Sequence, residues 1–250
     1  MSIASPFERL ARASGPAAVE SGIYDLFKRH LSVVAADTEA LLDQVFRLRY
    51  QVYCVERGFE NAAEHPDGRE RDHDDGRSLH FLVLDRASGE AAGTVRLILP
   101  QIGSELPVIR LARNTGGMLP AHSTAEVSRF AVTKAFRRPL ATSWCSARDR
   151  RSGLPIIAFG LIQAIVMMSA VGGITHIVAM MEPALLRLLR RMSIEFYPVG
   201  GLVEHHGLRQ PGWAAMGHLC QRVKECHREL WEIATDAGRQ LPALPGLAAT

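Results

Sequence analysis

The chain is 250 residues long, 47% hydrophobic and 22% charged, which is enough apolar material for one sizeable core with appendages. These proportions exclude collagen-like, low-complexity and wholly disordered chains, and a net charge of +3 is too mild for a protein that tracks nucleic-acid phosphates. Four cysteines (Cys54, Cys145, Cys220, Cys226) without a Cys-x-x-Cys pair argue for a reducing compartment, so a cytoplasmic location is expected.

Residues 1–36 show weak periodicity and read as a partly ordered leader. Early charges at Glu8, Arg9 and Arg12 and a short apolar run at 31–36 do not make a secretory signal. From Asp37, a capping residue, Leu41, Val45, Leu48, Val52 and Val55 step at alternating four and three residues and predict a helix that Gly58 ends. Beside them runs a stripe of Leu42, Phe46, Arg49 and Tyr53, in which the arginine must reach the rim or meet a buried carboxylate. Residues 60–78 are a polar loop closed by Asp72, Asp74 and Asp75. Residues 79–85 and 92–99 flank a turn-rich Ala87-Ser88-Gly89-Glu90 and predict a hairpin, with Arg96 inside its second strand.

A third strand is predicted over 126–133, and a basic loop over 134–153. The stretch 154–174 holds 21 uncharged residues after Arg148, Asp149, Arg150 and Arg151, long enough to span a bilayer. Pro155, Gly160, Gln163, Ser169 and Gly172-Gly173 shorten the continuous helix to about 17 residues, so a buried core helix is the expectation. A strand over 175–181, a short helix over 184–192 with Arg187, Arg190 and Arg191, a strand over 194–199 and an amphipathic helix over 220–236 follow, then a flexible tail over 241–250. This order implies a mixed sheet with helices on both faces, in a domain over 37–240.

Four matches, in order, make the chain resemble the acyl-homoserine-lactone synthases within the Gcn5-related N-acyltransferase (GNAT) superfamily. They are Arg49-Tyr50-Gln51-Val52-Tyr53 followed by Arg57-Gly58-Phe59; Asp72-x-x-Asp75; Gly93-Thr94-Val95-Arg96-Leu97; and Glu126-Val127-Ser128-Arg129-Phe130. The stretch His205-His206-Gly207-Leu208-Arg209-Gln210-Pro211 is similar instead to acyltransferases found with the PEP-CTERM/exosortase system, which are akin to long-chain N-acyl amino acid synthases. The resemblance implies an α/β GNAT fold: a mixed, mostly antiparallel central sheet flanked by helices on both faces, with a V-shaped cleft between two parallel strands. It also implies transfer of a medium or long acyl group from acyl carrier protein to an amino acid or similar amine, with the S-adenosylmethionine-using lactone synthases as the alternative. A third reading is a non-catalytic carrier-binding or membrane-associated protein. Phe59 replaces the tryptophan of lactone synthases, which bears on the acceptor.

Such a reaction needs a neutral amine, close alignment and donors for an oxyanion, but no covalent enzyme intermediate. The chain has neither a Gly-x-Ser-x-Gly elbow nor a recognisable Cys/His nucleophile signature. Glu126 is the candidate base or ammonium-orienting group, and Arg129 the second catalytic candidate. In a regular strand Arg129 lies on the opposite face from Glu126 unless a bulge intervenes. The resemblance assigns acceptor binding to Arg49, Tyr53, Phe59, Asp72, Asp75, Arg96, Ser128 and Phe130, with Arg49, Arg96 and Arg129 balanced by the aspartates, either structurally or in substrate contact.

Arg150-Arg151-Ser152-Gly153-Leu154-Pro155 is similar to the superfamily's pyrophosphate loop. Pro155 removes a donor there, so Arg150 and Gly153 are expected to hold an acyl-phosphopantetheine arm of acyl carrier protein, with acyl-CoA the other carrier. Exposed arginines at 137, 138, 148, 150, 151, 187, 190 and 191 suit an acidic carrier protein, or simply solvate the surface. His218, Cys220, Cys226 and His227 lack zinc-ligand spacing, and no resident cofactor or metal is expected. Peripheral contact with the inner membrane face is the one membrane association expected.

Overall fold

The computed structural model describes residues 22–112, 119–137 and 156–245. Helix α1 (Ile23–His30) carries Asp25 in its first turn and Lys28, Arg29 and His30 in its last, matching the helix dipole, and buries Phe27. It leads directly into strand β1 (Leu31–Ala35), which pairs antiparallel with residues 81–85. The segment expected to be leader is therefore part of the sheet. Eight helical residues and five strand residues are too few to show a period. At the other end Leu244 is buried against the core, so the expected tail is partly packed.

Helix α2 (Glu39–Arg49) is capped by Thr38, whose Oγ1 accepts from the Leu41 N–H, rather than by Asp37. It continues as a π-helical segment, Tyr50–Glu56, before Gly58 turns the chain at φ +62°. Strands β2 (Ser78–Asp85) and β3 (Ala91–Ile98) form the expected hairpin. Next come α3 (Pro107–Ala112), β4 (Thr124–Val132), α4 (Ile156–Gly172), β5 (His176–Met181) and α5 (Pro183–Arg191). The strand expected over 194–199 contracts to β6 (Tyr197–Pro198), followed by β7 (Val203–Glu204) and β8 (Leu208–Ala215). The single terminal helix expected over 220–236 is two, α6 (Met216–Cys226) and α7 (Arg228–Ala234), broken at His227.

The strands form one sheet in the order β1-β2-β3-β4-β5-β8-β6, with β7 added on β8. Among the described residues every strand pairing is antiparallel except β4 with β5. The parallel contact lasts three residue pairs, from Thr124↔His176 to Glu126↔Val178, while β4 runs on to Val132 and β5 to Met181. Beyond Glu126 the two strands separate.

On one face α4 lies over the sheet, buried along nearly its whole length. A Cβ on Gly160 would stand 2.9 Å from Val83 Cγ2 and 3.1 Å from the Phe27 ring, so this glycine lets α4 come down on β2 and α1. Among the described residues no helix is long and apolar enough to cross a membrane. The other face is covered by α2, whose Val45, Leu48 and Val52 pack on Leu82 and Ala131.

Candidate active site

Strand alternation sorts the β4 side chains by face. Ala125 and Val127 point into the core beneath α4, while Glu126 and Ser128, opposite Ile98 and Arg96 of β3, point the other way. Where β4 and β5 part, a cavity of about 970 Å³ opens. Its polar part is lined by Tyr53, Phe59, Asp72, Arg96, Ser128 and Arg129 on the α2 face. Its apolar part is lined by Ile162, Ile165, Val166, Leu219, Val223 and Leu230 on the α4 face. The cavity therefore passes through the sheet at the split, with Glu126 and Phe130 on its wall.

Glu126 is 6% exposed, and its Oε2 accepts from the Val108 N–H of α3 at 2.8 Å. Burial pushes its carboxyl up to about 7, against the pull of that N–H and of Arg96, with Asp74 adding to the rise. Asp74 itself lines the cavity and is gripped by Arg77 at 2.6 Å.

Beside it lies a charge network. Arg49, with 0% of its surface exposed, donates to Glu70 Oε2 at 2.5 Å and to Asp75 Oδ1 at 2.6 Å. Arg96 donates to Asp72 (2.5 Å), Asp75 (2.7 Å) and Ser128 Oγ (2.9 Å). Arg129 reaches Glu70 (2.9 Å), Glu60 (3.1 Å) and Asp72 (3.2 Å), with its guanidinium 5.2 Å from the Tyr53 ring centre. Burial alone would raise the Glu70 and Asp72 carboxyls, but hydrogen bonds from Arg49 and Arg129 to the first and Arg96 to the second hold both down at about 2. Burial lowers His80, beside Asp75, to about 4, so its imidazole is neutral at pH 7.

Arg129 joins this network because β4 bulges. Between Thr94↔Ala131 and Arg96↔Ser128 the register slips, so Arg129 and Phe130 together face Val95, and Arg129 has φ +48°. The bulge leaves Arg129 with Glu60, Glu70 and Asp72 as partners.

The mouth of the polar part is closed by the β7–β8 turn. His206 stacks on Phe59 (5.2 Å, 20°) and lies 4.5 Å from His205. Arg209 donates to the carbonyls of His205 (3.1 Å) and His206 (2.9 Å) and to Glu182 (2.7 Å), tying the turn to the start of α5. Burial, then His206 and Arg209, push His205 down.

Eight of the residues selected from sequence line the cavity: Tyr53, Phe59, Asp72, Arg96, Glu126, Ser128, Arg129 and Phe130. Arg49 and Asp75, expected to bind substrate, instead sit behind the wall and hold Glu70, Asp72 and Arg96 in place. Arg150 and Gly153 lie outside the described residues. Glu60, Glu70, Asp74, the His205-His206 pair and the Val108 N–H belong to the site and were not singled out by spacing. The two histidines stood inside a noted motif, and the other carboxylates were lost among their neighbours in the polar loop.

Residues 48–145 match the acetyltransferase (GNAT) domain family. No sequence among curated proteins matches. Among solved structures, TofI in a ternary complex with an inhibitor and MTA superposes with a TM-score of 0.58 at 18% identity, over 78% of this chain and 96% of that one. BjaI, a CoA-dependent acyl-homoserine lactone synthase with MTA, gives 0.57 at 21%, over 87% and 91%. FeeM, an N-acyl amino acid synthase from uncultured soil microbes, gives 0.51 at 13%, over 77% and 93%. With the sheet order and the single parallel pair that splays at Glu126, these similarities identify the architecture: the chain has the fold of the Gcn5-related N-acyltransferases, a mixed, mostly antiparallel sheet between helices.

Proposed function

We propose that the protein is an N-acyltransferase that moves a fatty acyl group from a thioester to the amine of a small acceptor. The observation that carries this reading is Glu126, a carboxyl with pKa about 7 at the point where the sheet splits, between a polar compartment on one face and an apolar one on the other. A base poised near neutrality suits deprotonation of an ammonium. The neutral amine attacks the thioester carbonyl, the C–N bond forms and the C–S bond breaks. The ammonium's first proton passes through Glu126 to solvent; as the amide forms, Glu126 takes the second proton from nitrogen and returns it to the departing thiolate. Backbone N–H groups near the point where β4 and β5 part, just after Glu126 and Val178, are the donors assigned to the oxyanion.

The polar compartment is lined by Glu60, Asp72 and Asp74 together with Arg96 and Arg129, with Glu70, Asp75 and Arg49 packed behind them. The wall carboxylates Glu60, Asp72 and Asp74 are the groups that would meet a positive charge on the acceptor. An amino acid offers its ammonium. S-adenosylmethionine offers a sulfonium as well, so the same observation supports lactone synthesis as a second reading, which the likeness to lactone synthases strengthens.

For the donor, the CoA-dependent relatives support acyl-CoA. The preference for acyl carrier protein rests on residues 150–155, outside the described residues, and on arginines such as Arg187, Arg190 and Arg191 of α5. The likeness to exosortase-associated enzymes draws no support from these comparisons and serves as a reason to assay long chains. We place the reaction in the cytoplasm, where thioesters are made, with peripheral contact at the inner membrane face.

The deciding experiment incubates the purified protein with acyl-CoA or acyl carrier protein thioesters and a panel of amino acids and S-adenosylmethionine, with products read by mass spectrometry. An N-acyl product that depends on Glu126 supports the reading. Thioester hydrolysis alone, or no product with any pair, overturns it.

A further inference from the structure

The apolar part of the cavity is lined by residues of α4, α6 and α7. The short helix α7 packs chiefly on α4, α6 and α1, so its side chains line the cavity from the helix layer. It contributes Leu230, Trp231 and Ala234 to the lining, with Thr235 just after it, and Trp231 is the bulkiest of them.

The indole is held from several directions. A Cβ on Gly238 would stand 3.1 Å from its Cη2, so the turn after α7 is pressed against the ring edge at a residue with φ +85°. Lys224 Nζ of α6 lies 5.4 Å from the ring centre. Thr235 Oγ1 donates to the Trp231 carbonyl at 2.7 Å and accepts from the Gly238 N–H at 2.9 Å, closing the end of the helix.

The helix is in turn anchored to the other end of the chain. Asp236 accepts from the Tyr24 hydroxyl at 2.7 Å and from Lys28 Nζ at 3.0 Å, and Arg239 donates to the Tyr24 hydroxyl at 2.8 Å. A large aromatic wall fixed on this clasp is a rigid stop rather than a compliant one. Residues of α4 and α6 line the same compartment as Trp231.

We propose that Trp231 is the far end of the apolar compartment and sets the longest chain it accepts. This rests on the acyl-transfer reading for its biological meaning, but chain binding tests it without turnover. S-alkyl pantetheine thioethers, from octyl to octadecyl, cannot be transferred and can be titrated into the protein by calorimetry. Affinity should rise about fourfold per added methylene until the floor is reached, then level off or fall.

Trp231→Ala, which removes a side chain of roughly 150 to 250 Å², should carry the rise on by about two to four further methylenes. Ala234→Leu should stop it earlier. The second variant keeps the test decisive if the first fails to fold. A cut-off that stays put in a folded variant overturns the proposal. So does the absence of any chain-length dependence in the parent protein. If binding behaves as expected while no acyl transfer is found with any donor and acceptor, the transferase reading falls and the assignment of Trp231 stands.

Discussion

Ionisation of Glu126 sets stability against reactivity at a single carboxyl. Its pKa of about 7 in the folded protein lies above the ordinary 4.5, so between these values the native state holds a proton that the unfolded chain has lost. The stability this confers is complete below about pH 4.5 and is lost as pH rises through 7. Glu126→Gln, which cannot ionise, should therefore gain on the parent by on the order of 2 to 3 kcal/mol between pH 5 and pH 8, measured by urea unfolding. Its kcat/KM should fall roughly 10²- to 10⁴-fold, and the limb of the pH–rate profile near 7 should vanish. Glu126 was legible because one short strand motif contains it. Glu70 was not, since residues 60–75 offer seven carboxylates and only the three-dimensional path of the loop decides that this one, 1% exposed, meets Arg49.

Among the elements, the end of α2 and the loop after it act as one unit, because Arg49 is fully buried with carboxylates from that loop around it. Arg49→Met should destabilise the fold by about 3 to 5 kcal/mol in urea, since it strands Glu70 in the interior. Glu70 and Asp72, both near 2, contribute stability that is full above their ordinary values and disappears as pH falls toward 2. In the Arg49 variant that acid transition should move to higher pH, which circular dichroism during acid titration would record. Gly93 of β3 makes a separate prediction. A Cβ there would sit 2.9 Å from both the Ala131 carbonyl oxygen and Ile157 Cγ2, so Gly93→Ala should cost about 1 to 3 kcal/mol by pressing β3 away from β4 and α4. Helix α2 was readable from its period, the hairpin from the turn between two β-like runs, β4 from its strand motif, and α4 from an uncharged run bounded by Pro155 and Gly172-Gly173. Strand β8 was hidden by Pro211 and Gly212, which disqualify a run of sequence as a strand, yet it joins β5 to β6. The break at His227 was hidden because the apolar spacing continues across it, and the bulge at Arg129 because no local residue requires one.

At the scale of the whole molecule, the cavity predicts how stability responds to occupancy. A non-transferable thioether at a hundred times its dissociation constant should stabilise the protein by about 2.7 kcal/mol, visible as a rise in Tm. The fold class could be read from element order, but the route of the cavity through the sheet could not, since it depends on where two strands stop pairing. That short seam makes the sheet resemble a book whose two leaves, β1 to β4 and β5 to β8, are stitched by three residue pairs. With α4 as the binding along the back, a guest chain wedged into the gutter would stiffen both leaves at once. Backbone amides of residues 127–132 and 179–181 should then exchange with deuterium more slowly when a donor is bound than when the gutter is empty.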